Sequence, residues 1–311
     1  MQEEKEKNMR DLVIIGVGPA GMSAALYASR AGLDVLMLDA GAPGGKLNLT
    51  ASIENWPGTE SKAGPDLAYD MFEHAQKFGA EYGYGYVSKV EDHGDHKVVI
   101  CDDASYETKA VLVASGTKER VMGIENEQPM IGRGISFCAV CDGAFFRGEP
   151  IIVVGGGNSA LEEADYLTKF ASVVHLVVRR DVFRADKIVQ DEILKNDKIQ
   201  VHFLKKPHKV LIENNKVAGL EVEDSITGEL STISANAIFP YVGADPVSDF
   251  VKDLGVCDEH GYILTDDTMT TSCKGIYAAG DVRKKFLRQV VTAANDGATA
   301  AQKIAQDIKN L

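Results

Sequence analysis

The amino-acid sequence predicts an α/β fold of two doubly wound units, one inserted into the other. Three observations predict it. A strand, a glycine turn, a helix and a second strand follow one another near the start of the chain. The same pattern returns in mid-chain, and glycine-containing turns bracket that second copy before a last strand and helix.

The first copy spans Asp11 to Asp39. Leu12 to Ile15 is an unbroken apolar run of strand length, Met22 to Ala31 has helical spacing after the glycines, and Val35 to Leu38 is a second apolar run. Within Pro65 to Phe78, Leu67, Met71, Ala75 and Phe78 recur at helical spacing, while Lys97 to Cys101 and Ala110 to Ala114 read as strands that extend this unit. The second copy opens with Ile151 to Val154 and turns through Gly155-Gly156-Gly157. It continues as a helix over Ser159 to Phe170 and returns as Val173 to Val178. Gly116-Thr117-Lys118 and Gly243-Ala244-Asp245-Pro246 are the expected crossings between the units. Gly275 to Ala279 reads as a strand that ends at Gly280-Asp281, and Val290 to Ile308 reads as a closing helix; this tail belongs with the first unit.

At 311 residues and 45% hydrophobic content, the chain holds enough apolar material for two cores. Its longest apolar runs fall far short of the roughly 20 residues a bilayer-crossing helix needs. Met1 to Arg10 is charged in both signs and lacks the apolar stretch of a secretory signal. The expected location is therefore cytoplasmic, with no membrane association. A formal net charge of −13 repels phosphate backbones, which excludes nucleic acid as a general partner and leaves room for a local basic cluster on one small anion.

Gly16-Val17-Gly18-Pro19-Ala20-Gly21 lies between a strand and a helix, where glycines permit a tight turn and let backbone N–H groups approach a pyrophosphate. At the end of the next strand Asp39 is placed to accept a ribose hydroxyl hydrogen bond. These residues read as a Rossmann-like dinucleotide site, against the alternative of an ordinary glycine turn. The second fingerprint comprises Gly155, Gly157, Asn158, Ser159 and Ala160, and it ends differently. Its strand is followed by Arg179 and Arg180, with Arg184 close behind, where a carboxylate would repel phosphate. Guanidinium groups grip phosphate bidentately, so the expected ligand is NADPH; a solvated basic face is the competing reading. Two sites with different ends imply two dinucleotides, and a flavin paired with a nicotinamide is the usual arrangement for passing a hydride.

Of five cysteines only Cys138 and Cys141 are close together. Two thiols three residues apart can cycle between dithiol and disulfide, with Asp142 next in line to exchange protons with the leaving thiolate. Zinc is not expected, because Cys101, Cys257 and Cys273 are scattered and no histidine shows ligand spacing near the pair.

In their order along the chain these motifs resemble the low-molecular-weight thioredoxin reductases. The resemblance runs from Gly16–Gly21 through Gly44-Gly45-Lys46-Leu47, Cys138-Ala139-Val140-Cys141-Asp142 and Gly155–Ala160 to Gly280-Asp281. It implies an FAD-binding domain over residues 1–117 and 246–311, an inserted NADPH-binding domain over 118–245, a homodimer, and thioredoxin or a thioredoxin-like protein as disulfide partner. It further implies that Gly44, Gly45, Leu47, Asn55, Ala114 and Gly116 line the flavin. Asp281, after Gly280, would hold its ribityl chain, and Arg288-Gln289 would open a helix at its ring. Three positions depart from the family's pattern: Lys46 where glutamine is common, Ser115 within Ala114-Ser115-Gly116, and Val178 where histidine usually opens the basic run. Rival readings are a dithiol oxidase on the same scaffold, a ferredoxin–NADP reductase and a non-catalytic flavin redox sensor. The arginine run disfavours the oxidase and the cysteine pair disfavours the ferredoxin reductase, whereas only repeated turnover separates enzyme from sensor.

Overall fold

The computed structural model describes residues 9–50, 53 and 55–309, with the backbone alone at 140 and 141. The chain forms two compact units, one ending at Lys118 and resuming at Asp245, the other spanning Glu119–Ala244.

In the first unit β1 (Arg10–Ile15), α1 (Pro19–Arg30) and β2 (Val35–Asp39) are followed by α2 (Gly64–Lys77), β3 (Glu81–Tyr84), β4 (Val87–Asp92), β5 (Lys97–Cys101) and β6 (Ser105–Val113). β1 lies between β2 and β6, parallel to both. It is buried on both faces: Leu12 and Ile14 pack toward Ala24, Ala25 and Ala28 of α1, while Val13 and Ile15 pack on the opposite side with Val90 and Val99. That is why it reads as a continuous apolar run rather than an alternating one. α1 begins at Pro19, three residues ahead of the expected Met22, because proline at a first helical position forfeits only an N–H that has no intrahelical partner. β6 begins five residues ahead of Ala110, since Ser105 to Thr108 pair antiparallel with β5.

After β7 (Thr117–Glu119) the second unit contains the single turns α3 (Glu127–Met130) and α4 (Ala139–Asp142), then β8 (Pro150–Val154), α5 (Asn158–Leu167), β9 (Val173–Val178), α6 (Lys187–Ile193) and β10 (Ile199–Phe203). Three antiparallel strands, β11 (Lys205–Glu213), β12 (Lys216–Asp224) and β13 (Leu230–Ser234), precede β14 (Ala237–Pro240). The parallel sheet runs β10-β9-β8-β14. Ile151 and Val153 of β8 pack toward α5, whereas Ile152 and Val154 pack toward Val210, Leu220 and Val222 of the antiparallel sheet. α5 stops at Leu167 rather than Phe170, because Thr168, Lys169 and Phe170 donate to carbonyls three residues back and tighten the chain into turns.

β15 (Ala244–Pro246) pairs with β7, so the two crossing segments form a short ribbon. The chain then adds β16 (Ile276–Ala278) to the first sheet beside β6 and closes with α7 (Val290–Lys309).

Candidate active site

The site of the first unit begins where β1 ends. Gly16 has φ of 101°, and a Cβ there would stand 2.4 Å from the Ala114 carbonyl oxygen, so this turn tolerates only glycine. A Cβ on Gly21 would stand 2.0 Å from the Gly16 carbonyl oxygen, which lets α1 start against the turn itself. Gly18 lies between them and meets nothing within 4 Å. As N-cap of α1 it supplies no side-chain hydrogen bond, leaving the first helical N–H groups and the positive end of the helix for an anion.

Asp39 ends β2. Its Oδ2 accepts the Val17 N–H at 2.7 Å and its Oδ1 the Gly41 N–H at 2.9 Å. The carboxylate thus braces the glycine turn, and its remaining lone pairs are available to hydroxyl donors. Gly44 donates to the Val17 carbonyl at 2.7 Å, and a Cβ on Gly45 would lie 3.5 Å from Gly18 Cα. The two glycine pairs therefore meet in one cradle, open at Gly18 and backed by buried Leu47.

A second group of predicted residues gathers on the return of the chain. Gly280, with φ of 78°, brings its α-carbon so close to Ala20 that a Cβ would lie 2.9 Å from the Ala20 methyl. Burial pushes the Asp281 carboxyl up, against the opposing pull of Lys46, Lys285 and Arg288 and with help from Asp296. Arg288 Nε donates to the Asp281 carbonyl at 3.4 Å, and its guanidinium stacks 4.5 Å from the Tyr262 ring centre. Asn55 Nδ2 donates to Gln289 Oε1 at 3.0 Å, joining two positions 234 residues apart. Gly116, with φ of 69°, follows Ala114 out of β6. The segments predicted to share one ligand are thus linked through Gly16 to Ala114, Gly45 to Gly18, Gly280 to Ala20 and Asn55 to Gln289.

Two unusual positions acquire contacts. Lys46 Nζ donates to Thr117 Oγ1 at 2.8 Å and Ser115 Oγ to the Val247 carbonyl at 2.5 Å. Sequence reasoning missed Asp296, which is buried and accepts the Gly280 N–H at 3.0 Å. It also missed Gly297, whose Cβ would stand 2.1 Å from the Ala20 carbonyl oxygen. The signal was available: Asn295-Asp296-Gly297 is a turn-type tripeptide within an otherwise helical pattern.

The second unit repeats the turn. A Cβ on Gly155 would stand 2.5 Å from the Tyr241 carbonyl oxygen and 2.7 Å from buried Ala160, while Gly157 caps α5 with nothing within 4 Å. Asn158 and Asp186 exchange two hydrogen bonds of 2.7 Å, Nδ2 to Oδ2 and the Asp186 N–H to Oδ1, which leaves Ser159 next in the first turn. Arg184 N–H donates to the Gly156 carbonyl at 2.7 Å, drawing the basic run to the turn. Arg179, Arg180 and Arg184 are exposed, and among the described residues no carboxylate forms an ion pair with them. In the same unit, burial followed by the charge of Glu162 pushes Glu163, on α5, up to about 7.

Cys138 is disulfide-bonded and sits at the head of α4. Its N–H donates to Ser136 Oγ at 3.1 Å and its carbonyl accepts the Asp142 N–H at 3.1 Å, closing the turn that carries the pair. The side chain of Cys141 lies outside the described residues. Cys101, Cys257 and Cys273 are free thiols.

Two open helix N-termini behind glycine turns, with a carboxylate at one strand end, cationic side chains at the other and a disulfide-bonded cysteine, form the kit of a two-dinucleotide redox protein. Residues 10–297 match the family model described as pyridine nucleotide-disulphide oxidoreductase. The chain belongs to that family, on its thioredoxin reductase branch. It is 47% identical to the thioredoxin reductase of Bacillus subtilis strain 168 over 311 residues, covering 100% of this chain and 98% of that protein. The thioredoxin reductase of Mycoplasma genitalium is 39% identical over 98% of this chain and 97% of its own length. Among solved structures, the thioredoxin reductase of Lactococcus lactis in its FR conformation superposes with a TM-score of 0.96 at 46% identity, covering 97% of this chain and 100% of that one. That of T. acidophilum gives 0.92 at 33% identity, with coverage of 96% and 98%. The chain is therefore a flavoprotein oxidoreductase that uses FAD and NADPH. No described helix is long and apolar enough to cross a membrane.

Proposed function

We propose that this chain reduces the disulfide of thioredoxin or a thioredoxin-like protein at the expense of NADPH, through a redox-active bond between Cys138 and Cys141. The observation that carries the reading is disulfide-bonded Cys138 within a unit that has its own glycine turn and whose next strand, β9, is followed by three arginines that form no ion pair with a carboxylate among the described residues. In this reading residues 1–117 and 246–311 are the FAD-binding domain and 118–245 the NADPH-binding domain, in a cytoplasmic homodimer.

The FAD cradle comprises Gly16, Gly18, Pro19, Ala20, Gly21, Asp39, Gly44, Gly45, Leu47, Asn55, Ala114, Gly116, Gly280, Asp281, Arg288 and Gln289. Its fit rests on the open Gly18 turn and on positions where any Cβ would meet backbone. Gly155, Gly157, Asn158, Ser159 and Ala160 cradle the NADPH pyrophosphate, and Arg179, Arg180 and Arg184 take its 2′-phosphate. When bound, the two cofactors supply hydride transfer and its relay to the disulfide.

The protein's own residues do the thiol chemistry. Once the pair is a dithiol, the Cys138 thiolate attacks one sulfur of the thioredoxin disulfide, forming a mixed disulfide and releasing the other sulfur as thiolate. Cys141 then attacks Cys138, re-forming the internal bond and freeing dithiol thioredoxin, while Asp142 exchanges protons with the departing thiolate. One disulfide is reduced per dithiol oxidised. The cysteine pair and nicotinamide site share one unit, so we propose that this unit rotates about its crossings between half-reactions.

Steady-state turnover with NADPH and added thioredoxin tests the reading. Many thioredoxin disulfides reduced per chain support it; one equivalent of reduction followed by arrest would leave a stoichiometric redox sensor.

A further inference from the structure

We propose that Asp296 is a positioning residue for the flavin site, clamping the segment from Gly280 to Lys285 from the second turn of α7 and setting the charge beside Asp281. The inference rests on the FAD reading above.

Asp296 is 3% exposed and is gripped from three directions. Its Oδ2 accepts the Gly280 N–H at 3.0 Å and the Lys285 ammonium at 2.6 Å, and its Oδ1 pairs with Arg283 Nη1 at 3.1 Å. Arg283 is held at its other end by Thr265 Oγ1, 2.9 Å from Nε. The two cations are themselves largely withdrawn from water, with side chains 12% and 9% exposed. A carboxylate removed from such a trio leaves two buried charges uncompensated, and burial weakens solvent screening of both.

The location turns this ion cluster into a device for the site. Gly280 leads directly into Asp281 and rests on Ala20 in the first turn of α1, and Gly297, beside Asp296, is where α7 meets the Ala20 carbonyl. Asp296 therefore ties the Asp281 segment to the helix whose N-terminus faces the Gly18 opening. Lys285 and Asp296 also act on the Asp281 carboxyl with opposite signs, so each lies within electrostatic reach of it.

A merely structural cluster would lose stability in any variant. The proposal requires shifts of opposite sign in the flavin reduction potential, because an electron-rich flavin is favoured by nearby positive charge and opposed by negative charge. The experiment measures that potential by dye equilibration, together with FAD release from desalted protein, in wild type, Asp296→Asn, Lys285→Met and the double variant. Asp296→Asn is expected to raise the potential and to release FAD about tenfold faster, since its uncompensated cations loosen the clamp. Lys285→Met is expected to lower the potential, and the double variant to return close to wild type. Shifts of the same sign, or an unchanged potential in Lys285→Met, would overturn the proposal. Should Asp296→Asn fail to fold, the direction in Lys285→Met decides alone. A colourless wild-type protein that takes up no FAD would instead sink the flavin reading.

Discussion

In both units a parallel strand runs into a glycine turn whose first glycine leaves no room for a Cβ, and whose later glycine caps a helix with nothing within 4 Å. Gly16 and Gly155 stand against the Ala114 and Tyr241 carbonyls, and Gly18 and Gly157 open α1 and α5. The turns part company one strand later. Asp39 is bonded to two backbone N–H groups of its own unit, whereas Arg179, Arg180 and Arg184 project into solvent. Under the proposed reading, the turn supplies a generic pyrophosphate cradle in both units, and the strand-end residues choose between a ribose hydroxyl and a phosphate.

The largest effect that would sharpen this comparison lies at the pair fed by both turns. Cys141→Ser or Cys138→Ser is expected to lower thioredoxin turnover by at least about 1,000-fold while NADPH still bleaches the flavin. Stopped-flow absorbance with a coupled turnover assay checks it, and normal turnover in either variant would remove the cysteines from the mechanism.

Next come the glycines. Gly21→Ala must relieve a 2.0 Å approach to the Gly16 carbonyl, so it is expected to destabilise the first unit by about 3 kcal/mol or more. Gly18→Ala, in open space, should cost less than about 1 kcal/mol and instead weaken FAD binding. Thermal melts with and without added FAD separate the two, and equal loss of stability would mean that Gly18 is structural.

How much of this was legible in the sequence follows from range. Both glycine turns, the cysteine pair and the strands buried on both faces depend on short spacings and continuous apolar runs, which a single chain displays. The antiparallel strands over Lys205–Ser234 escaped because their half-exposed, charge-rich alternation gives a weak signal. Asp296 escaped as a site residue because its partners Gly280, Arg283 and Lys285 are brought to it only by packing α7 against α1. Lys46 and Ser115 stood out as unusual, yet their bonds to Thr117 and Val247 depend on chain segments far away in sequence. Val178 is buried in the apolar cluster of the second unit, and its side chain has no polar group to offer a phosphate.

Replacing both Arg179 and Arg180 with alanine tests the strand-end rule directly. KM for NADPH should rise about 30-fold with KM for NADH little changed, because only one coenzyme carries the 2′-phosphate. Equal effects on both coenzymes would assign the arginines to the solvated surface.

The smallest expected effect is a pH signature confined to the second unit. Glu163 is raised in the folded state to about 7, so the folded protein holds the proton more tightly than the unfolded chain. This contribution to stability is full below the unfolded value, falls as pH rises toward 7, and is absent above it. Glu163→Gln should therefore flatten the fall in unfolding free energy between pH 5 and 8 by on the order of 1–2 kcal/mol, as read from denaturant melts at each pH. An unchanged slope would place the carboxylate in water.

The most direct test is anaerobic addition of NADPH to the yellow protein, followed by alkylation and mass mapping of the thiols. Bleaching of the flavin with both Cys138 and Cys141 newly alkylated, and neither labelled before NADPH, is the predicted result. A protein that bleaches while these two sulfurs keep their oxidation state would contradict the account.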